Sequence, residues 1–120
     1  MAQKFFQVEK EIDEAVPLSI DIWRILEKDK NDVLLDGIYK FDIIIYDVTD
    51  PEPIDVTLDT VLPGSAKVIT SLKWGTETVG VFTLINGQFD RKYDAKFIFT
   101  TNFGYKYNEH IYFTIIDPQA

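Results

Sequence analysis

Cysteine is absent from the 120-residue chain. That excludes disulfide staples, thiolate metal centres and cysteine nucleophiles, so stability must come from packing. It also fits synthesis in a reducing cytoplasm. Histidine occurs once, at His110. With one imidazole and no thiolate, a transition-metal site has almost no ligands to draw on. A Ser-His-Asp triad would have a single available base, and Ser19, Ser65 and Ser71 lack the glycine-flanked turn that exposes a nucleophile. Neither G-x-G-x-x-G nor G-x-x-x-x-G-K-[ST] occurs, so the sequence makes no case for a nucleotide, and no cofactor is expected. No apolar stretch approaches the ~20 residues of a membrane span. Met1-Ala2-Gln3-Lys4 opens on no signal-peptide apolar region. Cations are scarce: 12 Lys and Arg stand against 20 Asp and Glu, a net charge of −8. Such a surface repels phosphate backbones and anionic bilayers, and no basic run offsets it, so neither nucleic acid nor membrane is an expected partner. The expected location is the cytoplasm, unless the chain is carried out as part of an assembly.

What is present is apolar residue in short, regular runs. Hydrophobic residues make up 46% of the chain, which argues against disorder. The length predicts one domain, residues 1–120, large enough to bury a core. Turn residues punctuate alternating segments. Phe5-Phe6-Gln7-Val8 reads as a peripheral strand and Leu18-Ser19-Ile20-Asp21-Ile22 as a second. Trp23-Arg24-Ile25-Leu26 continues it as strand and turn, or else forms one helical turn through Ile22, Ile25 and Leu26; the strand-and-turn reading is preferred. Ile38 to Val48 is apolar on both faces toward its end, as in a central strand. Thr49-Asp50-Pro51-Glu52-Pro53 breaks it, and Ile54, Val56 and Leu58 alternate as a half-buried strand. Ala66 to Trp74, Thr78 to Ile85, Tyr93 to Phe99 and Tyr105 to Ile116 supply the rest, with Asn86-Gly87 and Asn102-Phe103-Gly104 as turns. Phe97 and Phe99 should face the same core as Ile111, Phe113 and Ile115. The reading is an all-β, antiparallel Ig-like β-sandwich of roughly seven to eight strands. Tyr93, behind the turn residue Asp90, predicts a tyrosine corner, its hydroxyl bonded to the backbone of the preceding turn. Ala95 then stands where antibody domains carry cysteine.

Two groups of side chains carry candidate chemistry. Asp47, Asp50, Glu52 and Asp55 crowd one loop and offer hard oxygen ligands for calcium. The plainer reading, which is preferred, has Asp and Pro making a turn with the charges in water, because no D-x-[DN]-x-[DN]-G spacing occurs. Trp23, Trp74, Tyr105, Tyr107 and Tyr112 are candidates for a sugar-stacking platform, against the preferred reading of core and cross-strand packing. A platform needs at least two of these rings coplanar and exposed on one face. His110 falls on an outward position and reads as a surface residue. The mixed-sign run Glu27-Lys28-Asp29-Lys30-Asn31-Asp32 reads as a solvated loop.

Two segments carry a resemblance. The acidic lead Glu9-Lys10-Glu11-Ile12-Asp13-Glu14, then Leu18-Ser19-Ile20-Asp21-Ile22, Leu26 and a charged loop, resembles the start of small phage and prophage structural proteins. Tyr93-Asp94-Ala95-Lys96-Phe97-Ile98-Phe99-Thr100-Thr101-Asn102-Phe103-Gly104-Tyr105-Lys106-Tyr107 is similar to their closing hairpin. Leu35-Asp36-Gly37-Ile38 reverses the order of that family's G-D-x-I, and Asn86-Gly87-Gln88 stands in place of its Gly-Gly. The resemblance implies a virion-associated Ig-like protein encoded among head and tail genes, with no catalytic residues. Its partners would be virion proteins or a second copy of the chain in a homo-oligomer. The function expected is therefore a non-enzymatic structural or assembly role through protein–protein contacts. The alternative is a carbohydrate-binding β-sandwich module, and an enzyme ranks last.

Overall fold

The structure, a computed structural model, describes residues 4–31, 33–71 and 77–119. Its strands are β1 (Phe6–Glu9), β2 (Val16–Asp21), β3 (Ile38–Asp47), β4 (Ile54–Asp55), β5 (Lys67–Thr70), β6 (Glu77–Leu84), β7 (Lys92–Thr101) and β8 (Lys106–Ile116), with one helical turn, α1 (Thr57–Thr60). They form a five-stranded sheet of order β1-β8-β7-β3-β4 and a three-stranded sheet of order β2-β6-β5. Neighbours are antiparallel except β1, which runs parallel to β8 with Phe6 opposite Phe113. The second, sixth and fifth strands share one sheet while the last, seventh and third share the other. That is the immunoglobulin-like arrangement, and the expected all-β sandwich is what the chain forms.

Alternation explains the burial. On β7, Tyr93, Ala95, Phe97, Phe99 and Thr101 point into the sandwich and are buried, while Lys92 and Lys96 point out. Phe113 and Ile115 of β8 join them, and Ile111 is half-buried at the margin of the core. The sheets meet through rings. Phe82 of β6 packs edge-on against Phe97 of β7 with centroids 5.7 Å apart, and Phe41 of β3 stacks on Phe99 at 5.1 Å. Ala95, which stands where antibody domains place a disulfide cysteine, is fully buried.

Three segments depart from the sequence reading. The strand expected over Ile54, Val56 and Leu58 ends after Asp55, because side chains compete for its backbone. Asp55 Oδ1 accepts from the Thr57 amide at 2.9 Å and the Thr57 hydroxyl at 2.6 Å. Thr57 Oγ1 in turn accepts from the Ile45 amide at 2.9 Å. The chain coils into α1, and Leu58 is left 95% exposed. Trp23–Ile25 is a 3-10 turn rather than strand, opened by Asp21 Oδ1 accepting from the Trp23 amide at 2.9 Å. It buries Ile22 and Leu26. In the strand expected over Ala66 to Trp74, Lys67–Thr70 is paired, and Leu72 and Trp74 lie outside the described residues.

The β6–β7 connection carries the expected corner. The Gln88 amide donates to the Tyr93 hydroxyl at 3.0 Å. Asn86, Gly87 and Asp90 hold φ of 51°, 85° and 64°, the left-handed conformations that fold this loop under the sheet end. A side chain at Gly87 would collide with Ile115. Burial pushes the Tyr93 hydroxyl above its ordinary pKa, so it stays neutral. Tyr93→Phe removes the acceptor and should lower stability by about 0.5–1.5 kcal/mol. Urea unfolding checks this, and an unchanged midpoint would mean that the hydroxyl does not anchor the loop.

Candidate functional site

At the end of the sandwich where β3 begins and β7 turns into β8, two loops are tied together by one carboxylate. Asp36 Oδ1 accepts from the Gly37 amide at 2.8 Å and from the Phe103 amide at 3.2 Å, a contact spanning 67 residues of sequence. The Asn102 amide donates to the Gly37 carbonyl at 2.9 Å and closes the same seam. The hairpin tip is fixed by Tyr105 N–H donating to Thr101 Oγ1 at 3.1 Å and by Gly104 at φ 90°. A register shift between Ile38 and Lys40 swings Tyr39 outward. Tyr39 is 73% exposed, Phe103 55% and Tyr105 53%, with Leu35 exposed beside them. The same end holds a groove of about 420 Å³ lined, among the described residues, by Leu34, Leu35, Asp36, Gly37, Ile38, Thr70, Glu77 and Asn102; Tyr39, Phe103 and Tyr105 are not part of that lining.

The acidic loop lies at the opposite end of β3, and its carboxylates serve turns. Asp47 accepts from Arg91 Nε at 2.9 Å and from the Thr49 amide at 3.0 Å. Asp50 meets Arg91 Nη2 at 3.5 Å, Asp55 is committed to Thr57, and Glu52 is exposed. Among the described residues no group of three or more His, Asp or Glu gathers to hold a metal ion. Burial by itself would raise the Asp47 carboxyl, but the hydrogen bonds from Thr49 and Arg91 and the Arg91 charge outweigh it. The group sits below the ordinary carboxylate value.

Of the candidate aromatics, Trp23, Tyr105, Tyr107 and Tyr112 lie in the described residues. Trp23 lies half-buried beneath Lys28, whose Nζ sits 4.4 Å from the ring centroid and donates to the Trp23 carbonyl at 2.7 Å. Trp74 lies outside the described residues. Tyr105 and Tyr107 are neighbours at 6.5 Å but tilted by 50°, and Tyr107 packs against the core. Tyr112, five residues on, faces the other side of the sheet, edge-on to Phe5 at 5.7 Å and stacked on His110 at 5.9 Å. His110 is outward and exposed as expected, with a tie the sequence does not show. Its Nδ1 lies 2.8 Å and 3.1 Å from the two oxygens of buried Asp94. Asp36 is the residue that sequence reasoning misses as a site. Its Asp-Gly pair and the Asn102-Phe103-Gly104 turn are each visible, but nothing local signals that they touch.

Comparison with family models, curated proteins and solved structures finds no match to this chain.

The Asp47–Arg91 pair makes stability depend on acid. A depressed folded-state pKa contributes stability that is fully present above the unfolded value, about 3.9, and is lost as pH falls through the folded value. Arg91→Ala should therefore lower the melting temperature at neutral pH, and its deficit should shrink below about pH 4. Thermal melts of both proteins from neutral to strongly acidic buffer check this. A deficit that stays constant throughout would contradict it.

Proposed function

We propose that the chain is a non-enzymatic structural or assembly protein of a phage or prophage particle, working through protein–protein contacts. The observation that carries the reading is the set of exposed apolar side chains at the end of the sandwich where Asp36 ties two loops together: Leu35 before β3, Tyr39 at its start, and Phe103 and Tyr105 between β7 and β8. Clustered large apolar side chains on a surface cost solubility and are informative in a way that scattered ones are not. Aromatic anchors already held in position lose little conformational freedom on docking. The resemblance of the two chain ends to particle proteins supplies the context. The net charge of −8 makes phosphate polymers poor partners and leaves protein. The partner is a neighbouring particle protein or a second copy of the chain. Strand β5 adds a secondary opportunity, since it pairs with β6 along one side only among the described residues.

Sedimentation velocity, alone and with purified candidate particle proteins, should reveal association. Tyr39→Ser combined with Phe103→Ser should weaken it at least tenfold, as expected when anchors worth about 2 kcal/mol or more are removed. A glycan array run beside it separates the rival. Micromolar glycan binding that Tyr105→Ala abolishes, with no protein association at any accessible concentration, would replace this reading with the carbohydrate-binding one.

A further inference from the structure

A second groove, of about 450 Å³, is lined by Ile44 of β3 together with Asp55, Val56, Thr57, Leu58 and Asp59. Phe41, Ile43 and Ile45 are the buried side chains of β3, so alternation turns Ile44 to the outer face of the sheet. Leu58 on α1 is 95% exposed, and Ile44 and Val56 are half-buried. The three line one groove and so make a patch, where a lone exposed leucine would say nothing. The patch is held in place. The Ile45 amide donates to Thr57 Oγ1 at 2.9 Å, and Asp55 Oδ1 accepts from the Thr57 hydroxyl at 2.6 Å and the Thr57 amide at 2.9 Å. The same Thr57 hydroxyl and amide hold the Asp55 carboxyl below the ordinary carboxylate value, so it is ionised at neutral pH. Asp59 is exposed. No Lys or Arg lines the groove among the described residues; Lys96, opposite Ile44 on β7, is outside the lining.

We infer that this groove docks an apolar side chain that a partner protein presents between lysines or arginines. Ile44, Val56 and Leu58 give the apolar side chain a surface to cover, and the Asp55 and Asp59 carboxylates meet the flanking cations. Exposed ion pairs add little affinity each, so the apolar contact supplies the strength and the carboxylates the choice of partner. Charge selects among the occupants. A second copy of the chain brings a net −8 toward two carboxylates and is repelled. A neutral apolar segment would cover Leu58 but take the carboxylates out of water without a counter-charge. Because Thr57 already ties α1 to β3, docking has little of this chain left to order. The inference shares with the reading above only that the partner is a protein, and it concerns a different surface from Leu35, Tyr39, Phe103 and Tyr105.

The test is a titration of the full-length, isotopically labelled protein with the peptide acetyl-Lys-Lys-Leu-Lys-Lys-amide, followed by amide chemical shifts. Acetyl-Lys-Lys-Ser-Lys-Lys-amide removes the apolar residue, and acetyl-Glu-Glu-Leu-Glu-Glu-amide reverses the charge. The first peptide should shift the Ile44, Val56, Leu58 and Asp59 amides saturably, and each control should bind roughly tenfold more weakly. Leu58→Ser, at an exposed position, should weaken binding about tenfold. Asp59→Asn, also exposed, should weaken it about threefold and flatten its dependence on salt. Equal binding of the serine peptide, binding that Leu58→Ser leaves unchanged, or shifts spread over the acidic surface without saturation at Leu58 would overturn the inference. So would self-association in sedimentation that Leu58→Ser abolishes, which would assign the groove to a second copy. The Tyr39→Ser, Phe103→Ser protein should bind the peptide as the parent does, so this inference and the particle-contact reading fail separately. Peptide binding lost in that protein would place the contact at the other end of β3 and overturn the groove assignment.

Discussion

The two sheets meet where a ring lies on a residue that has no side chain. Gly80, in β6, faces Phe99 and Phe41; a Cβ there would lie 2.7 Å from Phe99 Cε1 and 3.1 Å from Phe41 Cε1. Close approach at this point lets Phe82 reach Phe97 from the opposite sheet and lets Phe41 stack on both Phe97 and Phe99. A chain without cysteine has no covalent link between its sheets, so this layer of rings takes on that role. Its strength is area and shape: each aromatic buries a large apolar surface, and ring pairs add to it when their geometry is right.

Both ends of the sandwich depend on that layer. The β3–β7 ladder, with Phe41 opposite Phe99 and Ile43 opposite Phe97, carries its register outward in two directions. At one end it sets Asp47 opposite Tyr93, beside Arg91 and the corner formed with Gln88. At the other it sets Ile38 opposite Thr101, which brings Asp36 within reach of the Phe103 amide. The first end is internally satisfied: its buried carboxylate has a guanidinium and its buried hydroxyl has an amide. At the second end the buried Asp36 carboxylate accepts from two backbone amides, and Tyr39, Phe103 and Tyr105 are exposed.

The parts of the fold governed by period-two alternation were legible from residues alone. Tyr93, Ala95, Phe97 and Phe99 read inward and are inward, and the Tyr93 corner follows from a tyrosine entering the strand behind a tight turn. Segments ruled by side chain–backbone competition were not. Ile54, Val56 and Leu58 alternate well, yet Asp55 and Thr57 capture the backbone and coil it, which leaves Leu58 in water. At Trp23–Ile25, Asp21 and Lys28 close the two ends of a 3-10 turn that apolar spacing describes only in part. Of the site, the exposed aromatics at the hairpin were visible as residue types, whereas Asp36 and the Asp94–His110 tie depend on contacts between distant strands. Lys10 is a case of its own. It reads as one charge in an acidic lead, but it is fully buried, with Nζ donating to the Glu11 carbonyl at 2.7 Å and to the Ile12 carbonyl at 3.0 Å. Burial holds its pKa below the ordinary lysine value against the pull of Glu14 and Asp13.

The most direct measurement is the stability of Gly80→Ala by urea unfolding. Glycine in ordinary extended backbone gives up more freedom on folding than alanine does, so an unconstrained site would gain about 0.4–1 kcal/mol from the substitution. If Phe99 rests on Gly80 as described, the added methyl overpacks the seam and the protein instead loses about 1–3 kcal/mol. Part of that loss should return when Phe99 is shortened to leucine in the same chain. A Gly80→Ala protein as stable as the parent, or more stable, would contradict the ring-on-backbone contact as the hold between the sheets.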